Sequence, residues 1–120
     1  MARALSILVL DDNADNADAL AELLSMEDHK VKVAYSGQEA IDAYRSDAFD
    51  LGFFDVMMPG KNGVESFLEI REQRPDAKVY FMTGYSADEL LKKAMASGAS
   101  GVFGKPVDLP RLLDICEQTA

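Results

Sequence analysis

Five residues are suited by type to do chemistry together: the pair Asp11-Asp12, then Asp55, Thr83 and Lys105. Each stands at or just past the end of an apolar run; taken singly, the acid pair reads as a helix N-terminus, Thr83 as a turn residue and Lys105 as a surface lysine, and only together do they point to a site. Three carboxylates brought together repel one another and need a compensating cation. A hard divalent ion suits them best. Mg2+ takes oxygen ligands, keeps several waters and commonly shares its shell with a phosphate. With Mg2+ holding part of the acid cluster, one carboxylate is free to attack phosphorus and form an aspartyl phosphate. Lys105 and the cation would neutralise the phosphoryl oxygens, and the Thr83 hydroxyl would donate a hydrogen bond. Such transfer is mostly positioning plus charge stabilisation.

These residues meet only if the chain between them folds to bring them together. Five apolar runs alternate with helical patterns. The first, Leu5 to Leu10, stops at Asp11-Asp12, and a helix follows over about Ala14 to Met26 with Ala17, Leu20 and Leu24 inward. Lys30 to Ala34 alternates polar and apolar residues, which suits an edge strand. Ser36 and Glu39 stand three apart as a capping box, opening a helix to about Arg45 that buries Ile41 and Tyr44. Leu51 to Phe54 ends at Asp55. A loop with Pro59, Gly60 and Gly63 leads to a helix burying Val64, Phe67 and Leu68. Val79 to Met82 ends at Thr83-Gly84. A second capping box at Ser86 and Glu89 starts a helix with Ala87, Leu90, Leu91, Ala94 and Met95 inward, closed by a left-handed Gly98. Gly101 to Phe103 ends at Gly104-Lys105-Pro106, and the last helix starts near Asp108 with Leu109, Leu112, Leu113 and Cys116 on one stripe.

Five strand–helix units in succession predict an α/β fold, a doubly wound five-stranded parallel sheet with helices on both faces. Strands one, three and four are continuously apolar, as strands buried on both sides must be, whereas strand two alternates. That fits the order 2-1-3-4-5. In such sheets ligands bind outside the carboxyl ends of the strands, at the switch point, here between strands one and three. The five reactive residues all follow strand ends and converge there.

Composition agrees with one such domain over residues 1–120. The chain is 48% hydrophobic and 28% charged, enough to fold rather than stay disordered. Twelve basic against 21 acidic residues give a net charge of −9, which disfavours nucleic acid or an anionic membrane as a direct partner. The single cysteine, Cys116, excludes an intramolecular disulfide framework and reads as a small hydrophobe of the last helix. No apolar run approaches the length of a membrane span and no charged-then-apolar leader opens the chain, so a cytoplasmic protein is expected. His29 reads as a solvated turn residue. The acidic residues Asp11, Asp15 and Asp18 either frame a metal or are simply solvated.

The Asp11-Asp12 pair, the stretch Asp55-Val56-Met57-Met58-Pro59-Gly60 with Gly63 beyond, Thr83-Gly84 and Lys105-Pro106 together resemble the receiver domains of two-component response regulators. The resemblance spans essentially the whole chain, in order. It implies a flavodoxin-like fold and a signalling switch rather than an enzyme turning over a separate substrate. It assigns Asp55 as phosphoacceptor, Thr83 as switch hydroxyl and Lys105 as the phosphate-pairing lysine. Asp11, Asp12 and Asp55, with the backbone carbonyl of Met57, match the Mg2+ ligands; Mn2+ is expected to substitute. The Lys105-Pro106 bond is expected to be cis. The implied phosphodonor is a sensor histidine kinase or a histidine phosphotransfer protein. The implied output surface is the fourth helix, fifth strand and fifth helix, where Leu90, Lys93, Ser97, Arg111 and Leu112 lie and where a homodimer could form.

One departure stands out. Receivers usually carry Tyr or Phe three residues before the lysine, and here the position is Val102. Phe103 is adjacent, but strand alternation points it to the opposite face. Tyr85 is the candidate to take over the switching role. Met57 and Tyr85 occupy positions that, in this family, govern water access to the phosphoryl group, and both are bulky, so slow hydrolysis is expected. A haloacid-dehalogenase-like phosphatase would want a second acid where Asn13 stands, and a flavin binder would want a hydroxyl-rich loop after strand one. A binding-only, degenerate receiver is disfavoured by the intact acid, Thr and Lys set, though Val102 speaks for it. A stand-alone receiver and the N-terminal part of a longer regulator would both read this way.

Overall fold

A computed structural model describes residues 4–84, 88–96, 98–105 and 107–119. Its elements alternate without exception: β1 (Ser6–Leu10), α1 (Ala14–Met26), β2 (Lys30–Ala34), α2 (Gly37–Ser46), β3 (Leu51–Asp55), α3 (Gly63–Gln73), β4 (Val79–Thr83), α4 (Asp88–Ala96), β5 (Gly101–Gly104) and α5 (Leu109–Thr119). All strand pairs are parallel, and the order is β2-β1-β3-β4-β5. The chain thus steps from β1 outward to β2, returns to β3 beside β1, and continues to β5 at the far edge. This reversal leaves a crevice at the carboxyl ends of β1 and β3.

Strand pleating sorts the apolar side chains into two cores. Leu8, Leu10, Phe54 and Phe81 point to the side covered by α2, α3 and α4, where they meet Ile41, Tyr44, Phe67 and Ala94. Ile7, Val9, Phe53, Met82 and Phe103 point to the other side, against Leu24 of α1 and Leu112 and Cys116 of α5. Perpendicular aromatic pairs stiffen the first core, with Phe67 and Phe81 centroids 5.5 Å apart at 89°. Burying each large apolar side chain contributes about 1.5–3 kcal/mol. Val102 packs on the first core and Phe103 in the second, so the alternation expected for β5 holds.

Helix starts follow local chemistry. Asn13 caps α1 by accepting the Asn16 amide, and the Ser36 hydroxyl caps α2 through the Glu39 amide. The full reciprocal capping box lies instead at α3, where Asn62 and Glu65 satisfy each other's backbone N–H groups. Ser86 and Ala87 lie outside the described residues, as do the side chains of Glu89, Leu90 and Leu91, so the box and most of the inner stripe predicted for α4 are not described. Gly98 has φ of +100°, the left-handed helix end its type suits.

Several inward assignments need correction. Met95 is 49% exposed and Leu109 42% exposed; both sit in the end turns of their helices. Leu20, Leu68 and Leu113 are only partly buried, and Ile70 joins Val64 and Phe67 in the α3 core. His29 is not a free turn residue. It is half-buried, and its Nδ1 accepts the Leu5 amide at 3.0 Å, covering a backbone donor just ahead of β1. Among the described residues no helix is long and apolar enough to cross a membrane.

Candidate functional site

The site is built from strand ends. After β1 the Asp11 amide donates to the Ala34 carbonyl at 3.2 Å, extending the β1–β2 ladder by one residue. The Asp11 side chain is then fixed: Oδ1 accepts the Asn13 amide at 2.9 Å, an Asx turn that leads into α1. Asp55 is the last residue of β3 and pairs with Met82 of β4. Thr83 ends β4 opposite Gly104, and the Lys105 amide donates to the Thr83 carbonyl at 2.9 Å. The β4–β5 pairing therefore carries Lys105 one step past the sheet, directly above the crevice.

Side chains complete the cluster. Lys105 Nζ lies 3.4 Å from Asp11 Oδ2 and 3.5 Å from Asp55 Oδ1. Asp11, Asp12 and Asp55 each bring a carboxylate oxygen to within 4.8 Å of the others. Asp11 and Asp55 are buried, at 3% and 6% exposure, whereas Asp12 is exposed. Thr83, at the end of β4, is also buried. Burial pushes the Asp55 carboxyl up to about 6; the Lys105 ammonium pulls it down, and the charges of Asp11 and Asp12 push it up again. One ammonium against three carboxylates leaves the cluster short of positive charge. All its donors are hard oxygens, one of them on the solvent side, and this set fits a small divalent cation that keeps part of its water.

The loop from Val56 to Asn62 is tied at both ends. The Val56 amide donates to the Met82 carbonyl at 3.1 Å, and the Gly63 amide donates to the Val56 carbonyl at 3.0 Å. Met57, whose carbonyl was expected among the metal ligands, is 47% exposed; Met58 is half-buried against the α2–α3 core. Beside the acids, a groove of about 610 Å3 runs between α1 and the start of α5. Leu20, Leu23, Val107 and Leu109 line it, and Asp11, Asn16 and Lys105 close one end.

Asp11, Asp12, Asp55 and Lys105 are thus brought to one crevice, and Thr83 ends the neighbouring strand β4 opposite Gly104. Tyr85 and the Lys105-Pro106 bond lie outside the described residues, and so do Ser97 and the side chain of Leu90 on the expected output face. On that face Lys93 and Arg111 are exposed. Leu112, by contrast, is fully buried in the α5 core and offers nothing to a partner. Arg111 instead spans the β5 edge: its guanidinium stacks 4.4 Å over the Phe103 ring and donates to the Val102 carbonyl. Of the acidic residues along α1, Asp18 accepts from the Tyr35 hydroxyl at 2.7 Å, and the described acid cluster consists of Asp11, Asp12 and Asp55 alone. Sequence reasoning missed the parts played by Asn13, Asn62 and Glu65. The signal was available for two of them, since Asn62 and Glu65 stand three apart before an apolar helix.

Comparison with known proteins gives a consistent result. Residues 7–117 match the family model of the response regulator receiver domain. A response regulator receiver protein of Anaeromyxobacter is 39% identical over 108 residues, 90% of this chain and 45% of that protein. The chemotaxis protein CheY of Halobacterium salinarum is 32% identical over 111 residues, 92% of each chain. The chain thus spans less than half of the first relative and nearly all of the second. Among solved structures, response regulator protein TrrA of Thermotoga maritima, in complex with Mg(2+)-BeF, superposes with a TM-score of 0.84 at 30% identity, covering 96% of this chain and 98% of that one.

Proposed function

The chain belongs to the response regulator receiver domain family, and from that premise we propose that residues 1–120 act as one phosphorylation switch with Asp55 as its phosphoacceptor. Receiver domains are generally phosphorylated on Asp in two-component systems and bind Mg2+ at an acidic pocket. The observation that carries the reading is the meeting of Asp11, Asp12, Asp55 and Lys105 at the carboxyl ends of β1, β3 and β5.

In this reading Asp11, Asp12, Asp55 and the Met57 carbonyl hold Mg2+, with Mn2+ as a substitute. When bound, the cation supplies charge neutralisation for the acids and the phosphoryl oxygens. A carboxylate oxygen of Asp55 attacks the phosphorus of a phosphohistidine. The O–P bond forms, the P–N bond breaks, and the imidazole nitrogen leaves with the electron pair. Lys105, already 3.5 Å from Asp55, turns to the transferred phosphoryl oxygens, and Thr83 donates to another of them. Met57 and Tyr85, both bulky, occupy the positions that in this family govern water access to the phosphoryl group, which supports slow hydrolysis of the product. The phosphodonor is a sensor histidine kinase or a histidine phosphotransfer protein in the cytoplasm. The groove beside Lys105 has an apolar floor, and α1 carries Asp15, Asp18 and Glu22 but no basic residue. Those features suit an amphipathic, basic-flanked helix presenting the phosphohistidine. The phosphorylated state then biases α4, β5 and α5 toward a partner or a second copy.

The test is intact mass after incubation with acetyl phosphate, with and without Mg2+, beside Asp55→Asn. One added phosphoryl group that requires both Mg2+ and Asp55 is expected. Its persistence in the Asn variant would overturn the assignment of Asp55, and a wild-type protein that is modified by neither acetyl phosphate nor a phosphohistidine donor would overturn the switch itself.

A further inference from the structure

Gly63 stands eight residues after Asp55, yet the two backbones touch. A Cβ built on Gly63 would lie 2.0 Å from the Asp55 carbonyl oxygen, 3.0 Å from its carbonyl carbon and 3.3 Å from the Val56 Cα. Those atoms are backbone, so no side-chain rotation relieves the clash. The contact is also bonded: the Gly63 amide donates to the Val56 carbonyl at 3.0 Å. Gly63 is the first residue of α3, whose opening turn is locked by the reciprocal Asn62–Glu65 box, with the Glu65 amide to Asn62 Oδ1 at 2.9 Å and the Asn62 amide to Glu65 Oε1 at 3.0 Å. Val64, Phe67 and Ile70 anchor the same helix in the core. A rigid helix start is therefore pressed against the peptide that carries the Asp55 side chain.

The helix is a fixed surface, and the end of β3 is seated on it. From this we infer that Gly63 is a positioning residue for the acid cluster: its missing side chain lets α3 set where the Asp55 carboxylate sits relative to Asp11 and Asp12. The inference rests on the reading of the cluster as the Mg2+ and phosphoryl site. Adding one methyl group demands a separation of at least about 1 Å between the α3 start and the end of β3, and displacements of that size at a reacting centre cost about 100-fold in rate. Groups that orient metal ligands without touching the metal typically cost 10–100-fold in affinity when lost. Gly63→Ala should thus weaken the cluster's hold on Mg2+ well beyond its effect on folding.

The test compares wild type, Gly63→Ala and Gly98→Ala. Gly98 has φ of +100° and its Cβ would meet only Arg71, at the far ends of the strands, so Gly98→Ala loses stability with the acid cluster untouched. Urea unfolding measures stability, calorimetric titration with MgCl2 measures metal affinity, and the initial rate of mass gain from acetyl phosphate measures transfer. Gly63→Ala should bind Mg2+ about tenfold or more weakly and gain mass more slowly, whereas Gly98→Ala binds as wild type does. Equal Mg2+ affinity in folded Gly63→Ala and wild type would overturn the inference. So would equal losses of affinity in both glycine variants, which would make the effect one of stability alone. If Gly63→Ala does not fold, Glu65→Ala frays the same helix start without adding an atom beside Asp55; a severalfold weaker hold on Mg2+ supports the inference and an unchanged one overturns it. A wild-type protein that neither binds Mg2+ nor accepts phosphate would instead sink the underlying reading of the site.

Discussion

Replacing Asp55 with Asn should stabilise the metal-free protein at neutral pH, even though it removes the proposed phosphoacceptor. The Asp55 carboxyl rises from an ordinary 3.8 to about 6 on folding, first because it is buried and further because Asp11 and Asp12 face it. The folded state therefore binds the Asp55 proton more tightly than the unfolded chain does. Below about 4 both states are protonated and no penalty exists. As pH rises through about 6 the folded state must accept the buried charge, and stability is lost. A difference of this size corresponds to about 3 kcal/mol at pH values above both. Asn carries no charge and escapes that cost. It also gives up the ion pair with Lys105, but Lys105 keeps Asp11 at 3.4 Å, so a net gain of about 1–3 kcal/mol is expected at pH 7.5. Urea unfolding in EDTA, run at a series of pH values from 4.5 to 7.5, measures the gap between variant and wild type. The gap should open as pH rises and should shrink again when excess Mg2+ is added, because the cation binds the folded wild type preferentially. An Asn variant no more stable than wild type at pH 7.5, or a gap independent of pH, would refute the reasoning.

Other outcomes follow from the same structure. Lys105→Gln removes the main influence that lowers Asp55, so the Asp55 carboxyl should titrate above about 6 in the metal-free variant, read by carbon-detected NMR; an unchanged midpoint would break the electrostatic account. Tyr44 is 1% exposed and, among the described residues, its hydroxyl has no hydrogen-bond partner, so Tyr44→Phe should be neutral or stabilising by about 1 kcal/mol in urea unfolding, and a clear loss would reveal a hidden partner. Cys116 is buried, and burial pushes its thiol up to about 11; it should resist a thiol-specific disulfide reagent at pH 8 in the folded protein and react rapidly in urea.

Much of the fold was legible because its signals are local. Branched apolar runs ending in Asp or Thr-Gly, a Lys-alternating second strand and the Gly98 helix end each follow from one or two residues' own preferences, and together they dictate the sheet order. Since ligands gather at strand ends, the positions of Asp11, Asp12, Asp55 and Lys105 in the sequence already placed them in one crevice. The errors fall where a neighbour decides. Met95 and Leu109 continue apolar stripes, but the stripe is buried only as far as another element covers it. His29 looks solvated in sequence, and only the approach of Leu5, 24 residues away, turns its Nδ1 into a backbone acceptor. The elevated carboxyl of Asp55 depends on burial and on charges brought 43 residues or more across the chain. The contact between Gly63 and the Asp55 carbonyl is of the same kind: the sequence offered a glycine in a loop, and the tertiary structure made it the point where a helix bears on the reactive strand, because atoms that close must share space that only a missing side chain leaves open.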